Sequence, residues 1–198
     1  AIRFFEAIQQ NLGANGNQEI NADRIVFPPA YCLASEIQWV AGKANIKIGA
    51  QNVHWELQGA FTGELSAAVL KQLGLEWALV GHSERRQFFG ETNDTAAKRL
   101  AKALQSQLRV IFCIGETLPQ RESGSTETVL TAQLTPYIAA LAEYVSELSP
   151  QDFTPRHVPI AYEPVWAIGT GKTASQEQAQ QAHAFIRSFV STRLGGAF

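Results

Sequence analysis

The amino-acid sequence predicts an α/β fold built around a parallel β-sheet. Five short runs of apolar residues recur with little alternation, which is typical of parallel strands that are covered on both faces. The centres of these runs are Val26, Ile48, Leu79, Ile111 and Ile160. Helical patterns separate the runs, and repeated βα units of roughly 30 residues imply right-handed crossovers within one sheet.

The predicted elements alternate along the chain. The strands cover residues 24–29, 46–52, 76–82, 109–116 and 158–165. The helices cover residues 35–42, 64–74, 83–88, 95–107 and 125–145. Residues 1–12 also have the apolar spacing of an amphipathic helix, and Pro136 is expected to kink or interrupt the helix at 125–145, because proline lacks a backbone N–H. A last helix is expected to begin near Ser175, whose spacing from Gln178 fits a capping box.

Composition places the chain among ordinary globular proteins. It has 198 residues, of which 45% are hydrophobic and 17% charged, and its formal net charge is −2. No linker or low-complexity stretch divides it, so residues 1–198 are predicted to form a single domain, with residues 150–157 as the most loop-like interior segment. Because there is no basic excess, neither nucleic acid nor a membrane surface is an expected partner.

The features related to cellular location favour the cytoplasm. The longest apolar runs, such as residues 110–114, are too short to span a bilayer, and the first residues do not have the pattern of a signal peptide. Cys32 lies beside a Pro-Pro turn and Cys113 lies inside a strand-like run, far away in the chain. Free thiols in a reducing compartment are therefore expected, and the predicted location is cytoplasmic.

Polar and glycine residues follow the predicted strand ends in one repeat after another. They are Gln51, Asn52, His82, Ser83, Gly115, Glu116 and Glu163. This distribution is typical of a closed βα barrel, in which the loops after the strands build the active site at one face. An open doubly wound sheet is the alternative, although its site usually involves fewer loops.

The stretch GTGKT at residues 169–173 is similar to a phosphate-binding loop, but it fails two tests. A Walker A loop would need glycine at position 166, where the chain has Trp166. The dinucleotide-binding pattern G-x-G-x-x-A matches the glycines of this stretch and Ala174, but residues 189–198 contain no acidic residue, which that fold would need. A nucleotide-binding α/β protein therefore remains only as an alternative.

The same segment has the features of a lid. Pro164 gives it a stiff entrance, and its tip at residues 167–171 is rich in glycine and small residues. A rigid edge with a glycine tip can swing as a unit and present backbone N–H groups to an anion. The alternative is a mobile connection with no such role.

Two candidate catalytic side chains lie at predicted strand ends. His82 precedes the short helix at 83–88, and the positive end of a helix dipole favours a neutral imidazole that can polarise a carbonyl group. Glu163 lies beside the lid, and a desolvated carboxylate there is a natural general base. The alternatives are a histidine bonded to backbone groups in the core and a solvated or ion-paired glutamate. Together with an anion-binding lid, the two side chains suggest proton transfer next to a carbonyl group in a small phosphorylated substrate.

No metal site and no cofactor are predicted. His54, His157 and His183 are scattered along the chain, and no pair of histidines has a metal-ligand spacing such as H-E-x-x-H. The expected site therefore relies on side chains and backbone groups alone.

Five motifs carry a resemblance to a known family. They are GAFTGE (60–65), VGHSERR (80–86), FGET (89–92), CIGE (113–116) and YEPVWAIGTGKTAS (162–175). In order and approximate spacing they resemble the triosephosphate isomerases, and the resemblance covers essentially the whole chain. It implies a TIM barrel, an eight-stranded (β/α) barrel that interconverts dihydroxyacetone phosphate and glyceraldehyde 3-phosphate through an enediolate.

The resemblance also implies a role for individual residues. Glu163 matches the base that moves the proton between two carbons, and His82 matches the neutral electrophile that polarises the carbonyl oxygen. Ser83 matches the hydroxyl that holds the base while the lid is open, and Glu84 matches a carboxylate one layer behind the substrate. Gly171 matches a lid N–H donor to the substrate phosphate.

The chain departs from the family pattern at both ends. The family begins with a strand that carries an Asn and a Lys, and no such strand precedes Ala1. The family ends with two further strands whose loops bind phosphate, whereas Gly195 and Gly196 follow a predicted helix. The second to sixth strands are thus represented, which implies either a fragment of a complete isomerase or a self-associating barrel remnant with little activity.

The segment at residues 51–64 predicts association. It is long, and it places Trp55, Leu57 and Phe61 on an expected surface loop, which is more apolar area than a monomer normally exposes. It resembles the family's interdigitating loop, in which Thr62 would reach the site of the neighbouring subunit. A homodimer is therefore expected.

Overall fold

The computed structural model describes residues 23–40, 46–146 and 157–195, together with residues 3, 6 and 7. Within these ranges the strands form one parallel five-stranded sheet. They are β1 (Ile25–Val26), β2 (Lys47–Ala50), β3 (Trp77–Val80), β4 (Arg109–Ile114) and β5 (Ile160–Tyr162). Most of the predicted helix at residues 1–12 and most of the predicted loop at residues 150–157 lie outside the described residues.

The order of the strands distinguishes between the two sheet architectures. Each strand pairs with the next one along the chain, from β1 through β5. A doubly wound sheet reverses its order at a switch point, whereas a barrel adds strands in sequence. The predicted α/β barrel architecture is thus confirmed as a half-barrel of five parallel strands. The longest register joins β3 to β4, from Trp77 opposite Arg109 to Val80 opposite Phe112.

Helices follow the strands as the sequence predicts, with boundaries shifted by a few residues. They are α1 (Leu33–Val40), α2 (Ala67–Gln72), α3 (Ser83–Phe88), α4 (Asn93–Gln105), α5 (Leu118–Glu122), α6 (Thr126–Ser146) and α7 (Gln176–Leu194). Only α5 was not predicted. Its signals are present in the sequence, because Thr117 and Gln120 form a capping box and Pro119 lies in the first turn. None of the helices in the described ranges is long and apolar enough to cross a membrane.

Helix α6 runs without a break through Pro136, so the expected interruption does not occur. A proline lacks the N–H that would bond to the carbonyl four residues earlier, which is that of Ala132. The side-chain amide of Asn93 instead donates to the Ala132 oxygen at 3.0 Å. A side chain at the start of α4 thus satisfies the carbonyl that the proline leaves free.

The hydrophobic core lies between the sheet and its covering helices. Its largest buried side chains come from β4, α4 and α6, and they include Phe112, Leu100, Leu104, Leu130, Leu134 and Tyr137. Phe112 and Tyr137 pack with ring centroids 4.9 Å apart, and the Tyr137 hydroxyl donates to the Val158 carbonyl at 3.2 Å. This core holds the carboxyl ends of β3, β4 and β5 side by side, and the candidate site lies at those ends.

Candidate active site

His82 follows β3 directly and caps the first turn of α3. The backbone N–H of Glu84 donates to its Nδ1 at 3.3 Å. A ring nitrogen that accepts a hydrogen bond carries no proton, so the neutral imidazole holds its proton on Nε2. That Nε2 lies 3.2 Å from Oε1 of Glu163. The side chain of Glu84 itself is two-thirds exposed, with Oε2 3.9 Å from Nδ1.

Glu163 follows β5 and is held at both its backbone and its side chain. Its N–H donates to the Ile114 carbonyl at 2.8 Å, which extends the pairing with β4 by one residue. Its Oε2 accepts from the backbone N–H of Ser83 at 3.1 Å. The resemblance implies a contact with the hydroxyl of Ser83, whereas the contact in this structure comes from the amide. The side chain of Glu163 is only 16% exposed, accepts a hydrogen bond from the Ser83 amide through Oε2, and lies 3.2 Å from Nε2 of His82 through Oε1.

Gly115 follows β4 and lies directly against the backbone of Glu163, which follows β5. A Cβ at this position would collide with the backbone carbonyl oxygen of Glu163, so no other residue fits without displacing the base. The N–H and carbonyl of Gly115 bond to the side-chain amide of Gln133 at 2.8 and 2.9 Å. A buried glutamine of α6 therefore secures the backbone on which Glu163 packs.

The entrance of the lid is anchored on Glu116, a carboxylate with no exposed surface. Tyr162 donates its hydroxyl to Glu116 at 3.0 Å, and the indole N–H of Trp166 does the same at 3.0 Å. Arg121 supplies an ion pair at 2.9 Å, and its guanidinium also covers the Trp166 ring at 5.1 Å. Burial and the Glu116 charge raise the pKa of the Tyr162 hydroxyl, so it remains a donor. Four side chains thus fix both ends of the turn that carries Glu163.

The lid has internal structure at its base and an exposed tip. Residues 165–167 form a 3₁₀ turn, and the Thr170 hydroxyl donates to the Trp166 carbonyl at 2.9 Å. Gly171 has a φ of +74° and open space around it. The backbone conformation, and not a lack of room for a side chain, therefore favours glycine at this position. The lid ends at the capping box of Ser175 and Gln178, with bonds of 2.9 and 3.1 Å, which confirms the predicted start of α7.

A buried thiol lies beneath the candidate base. Cys113 belongs to β4, and burial raises its pKa, with a further contribution from the negative charge of Glu163. A neutral thiol is a weak nucleophile, so Cys113 is suited to packing and not to covalent chemistry.

A cavity of about 380 Å³ opens beside His82. Its lining includes Gln51, Asn52, Gly63, Arg85 and Phe89. Residues 51–64 form one wall, and the end of α3 forms another. Phe89, which lines the cavity, is 68% exposed, and Phe61, elsewhere in residues 51–64, is 42% exposed.

Residues 51–64 are only partly the exposed apolar loop that the sequence predicts. Leu57 and Phe61 are exposed and Thr62 lies at the exposed turn. Trp55 is half-buried, because the Arg99 guanidinium stacks on its ring at 4.7 Å. Phe61 packs on the imidazole of His54, with ring centroids 4.3 Å apart.

An ion-pair network that the sequence did not predict supports this wall. Arg99 reaches both carboxylate oxygens of Glu64, at 2.7 and 3.0 Å, and also donates to the Val53 carbonyl. Glu91, whose side chain is 1% exposed, pairs with Arg85 at 2.9 Å. Arg99 and Glu64 are 35 positions apart, and the six positions between Arg85 and Glu91 match no helical spacing, so the sequence carries no signal of the network. Within the described residues, no three His, Cys, Asp or Glu side chains are grouped closely enough to hold a metal ion.

Comparison of the sequence with known proteins points to one family. Residues 1–197 match the family model described as triosephosphate isomerase. A triosephosphate isomerase of Chlorobium phaeobacteroides is 48% identical over 176 residues, which is 89% of this chain and 66% of the relative. One from Chloroherpeton thalassium is 46% identical over 195 residues, 98% of this chain and 72% of the relative. One from Alkaliphilus oremlandii is 45% identical over 165 residues, 83% of this chain and 63% of the relative.

The chain therefore spans 63 to 72% of the length of these relatives. The family match nevertheless extends over nearly all of its residues, and it includes the segments that carry His82, Glu163 and the lid. On these grounds the chain belongs to the triosephosphate isomerase family.

Proposed function

We propose that this site interconverts dihydroxyacetone phosphate and glyceraldehyde 3-phosphate. The observation that carries the proposal is the approach of the Glu163 carboxylate to Nε2 of His82, at 3.2 Å, while Nδ1 of the same imidazole accepts from the Glu84 amide. A base and a neutral N–H donor at this separation can act on a carbon and on the oxygen of its neighbouring carbonyl in one substrate. Family membership supports the same reaction.

In the proposed mechanism, Glu163 removes a proton from the carbon next to the substrate carbonyl. His82 donates a hydrogen bond from Nε2 to the oxygen on which negative charge develops, and the enediolate forms. Glu163 then returns the proton to the adjacent carbon, while the hydroxyl proton passes from the first oxygen to the second through the His82 imidazole, so that a new carbonyl and a new hydroxyl result. Because Oε1 of Glu163 lies 3.2 Å from Nε2 of His82, a substrate that uses both groups must enter between the two side chains.

The lid and the turn at His82 are proposed to bind the substrate. Gly171 presents a backbone N–H at the exposed lid tip, which suits it to bind the substrate phosphate when the lid closes. Ser83 and Glu84 border the same site and contribute to substrate binding through the turn that holds His82. Closure would also exclude water, which strengthens the hydrogen bonds to the developing charge.

The proposal extends to the oligomeric state and to the cellular location. We infer a homodimer in which Phe61 and Thr62 of one protomer enter the cavity beside His82 of the other. The exposed apolar side chains of residues 51–64 support it. We also infer a cytoplasmic enzyme, as the free thiols indicate.

The test is isomerisation by the purified protein, with deuterium uptake from D₂O into substrate C–H positions followed by NMR. Glu163→Gln keeps the shape of the base but removes its basicity, and kcat is expected to fall by at least about 10²-fold. The matched control is Glu143→Gln on the exposed face of α6, which is expected to change neither rate. Turnover and deuterium uptake near the wild-type values in a folded Glu163→Gln protein would refute the assignment.

A further inference from the structure

The residue before His82 is held by side chains on both of its backbone groups. The N–H of Gly81 donates to Oε1 of Glu91 at 2.7 Å, and its carbonyl accepts from Nε of Arg86 at 2.7 Å. Gly81 is buried and has a φ of +80°, a conformation that L side chains rarely adopt. A glycine on its own would leave this turn free to rotate, so Glu91 and Arg86 determine the direction in which the chain enters His82.

The Arg86 side chain makes further hydrogen bonds besides the one to Gly81. Its Nη1 donates to Oδ1 of Asn93 at 2.7 Å, and its Nη2 lies 3.5 Å from the carbonyl oxygen of Cys113. One guanidinium therefore joins the end of β3, the end of β4 and the first residue of α4. The planar group fixes all three at once, which a flexible ammonium cannot do.

Asn93 is itself oriented by the proline in α6. Its Nδ2 donates to the Ala132 carbonyl, which Pro136 leaves without a helix donor. With Nδ2 occupied in this way, Oδ1 points to Arg86. A path of hydrogen bonds thus runs from the Ala132 carbonyl of α6 through Asn93 and Arg86 to the backbone of Gly81.

The charge of Arg86 agrees with this placement. Burial lowers the pKa of its guanidinium, while the negative charges of Glu91 and Glu163 act in the opposite direction. An arginine remains protonated under all ordinary conditions. A permanent, half-buried cation therefore lies next to the turn that carries His82, and it interacts electrostatically with Glu163.

We propose that Arg86 is a positioning residue for His82, and that the Oδ1 of Asn93 holds Arg86 in place. This inference rests on the proposed isomerase function, in which the imidazole must face the substrate oxygen. A displacement of a reacting group by about 1 Å can lower a rate by roughly 10²-fold. Loss of Arg86 releases the Gly81 carbonyl and allows the imidazole to leave the line between the Glu84 amide and Glu163.

The first measurement is the ¹⁵N NMR spectrum of His82 in labelled protein, which reports the tautomer without requiring turnover. The wild-type chain is expected to show one protonated nitrogen, Nε2, and one unprotonated nitrogen, Nδ1. Arg86→Gln is expected to shift both signals toward the average of mixed tautomers. Arg187→Gln, which removes an exposed arginine on α7, is the matched control and is expected to leave them unchanged.

The second measurement separates kcat from KM in the same variants. Arg86→Gln is expected to lower kcat by roughly 10- to 10²-fold while KM changes by less than about 3-fold, because positioning acts on the reacting group and not on substrate binding. If the wild-type chain itself does not turn over, the proposed function fails, and the NMR result still decides the role of Arg86. Wild-type His82 signals in folded Arg86→Gln would overturn the inference.

A pair of substitutions at Asn93 tests the second step and does not depend on Arg86→Gln being able to fold. Asn93→Asp keeps an acceptor for Nη1 of Arg86 and is expected to keep the wild-type His82 signals. Asn93→Ala removes that acceptor and is expected to shift them in the direction of Arg86→Gln. Identical spectra for the two variants would show that Asn93 does not hold Arg86.

Discussion

Nε2 of His82 lies 3.2 Å from Oε1 of Glu163, although the two residues follow different strands, β3 and β5. Nδ1 of His82 accepts from the Glu84 amide at 3.3 Å, which leaves Nε2 as the nitrogen that faces the carboxylate. The two candidate catalytic side chains thus lie in contact with each other. A substrate that separates them gains a hydrogen-bond donor and a free carboxylate in the same step.

This relationship predicts the result of removing the imidazole donor. His82→Ala is expected to lower kcat by about 10²- to 10³-fold, the usual range for loss of one donor to a developing oxyanion. The control is His157→Ala, since His157 lies near Arg109 at the opposite end of the sheet. Steady-state kinetics of both folded variants provide the measurement. A kcat for His82→Ala equal to that of the control would exclude the proposed role.

A second prediction concerns stability in acid. Hydrogen bonds from Arg99 lower the pKa of Glu64 from 4.5 to about 2, against an opposing effect of burial. The unfolded chain therefore binds the proton at higher pH than the folded chain does. The stabilisation by Glu64 is fully present above pH 4.5 and is lost as pH falls toward 2.

The measurement is the free energy of unfolding across this pH window. Glu64→Gln is expected to be less stable than wild type at neutral pH and to show a shallower decline in acid. Glu56→Gln, at an exposed position of the same segment, is expected to follow the wild-type slope. Equal slopes for wild type and Glu64→Gln would show that Glu64 does not contribute the effect.

Several features of this molecule could be predicted from sequence because they are local. Continuous apolar runs predict the buried parallel strands, and polar residues at strand ends predict His82 and Glu163. The strand lengths were overestimated where proline intervenes. β1 ends at Val26 before Pro28 and Pro29, which cannot donate to a ladder, and β5 begins after Pro159.

The parts that sequence reasoning missed depend on contacts between distant positions. Trp166 was informative only as a mismatch to a nucleotide loop, whereas its N–H donates to Glu116 in the structure. Arg86 lies inside a recognised motif, but its bond to Asn93 and the link to Ala132 arise only when α4 packs on α6. Spacing along the chain cannot reveal such pairs, because the fold alone brings them together.

A third prediction compares the two cysteines. Burial raises the pKa of Cys113, and the charge of Glu163 raises it further, so little thiolate is available. Cys32 is only partly buried and is expected to react first. Native protein treated with iodoacetamide at mildly alkaline pH should carry the label at Cys32 alone, as read by peptide mass spectrometry. Denatured protein should be labelled at both, and native labelling of Cys113 as fast as Cys32 would contradict the prediction.

A fourth prediction concerns the anchor of the lid. Trp166→Phe removes the donor to Glu116 but keeps an aromatic ring beneath Arg121, so the fold should survive at a cost of about 1–3 kcal/mol. Hydrogen exchange is expected to quicken at the amides of Ala167 and Ile168, which close the turn at the base of the lid. Trp55→Phe, in residues 51–64, should leave these amides unchanged. Exchange at wild-type rates in Trp166→Phe would show that the indole N–H does not restrain the lid.

The last prediction concerns association. Leu57 and Phe61 are 45% and 42% exposed on one loop, and the cavity of about 380 Å³ beside His82 is bordered by the exposed ring of Phe89. Exposed apolar groups gathered on one surface are typical of an interface between proteins. Phe61→Asp would place a charge in that interface and would also remove the contact between the Phe61 ring and His54. In sedimentation at tens of micromolar protein, the wild type is expected to be a dimer and Phe61→Asp a monomer. The control Ala184→Asp, at an exposed position of α7, should remain dimeric. A monomeric wild-type protein would refute the homodimer, and a Phe61→Asp dimer would place its interface elsewhere than residues 51–64.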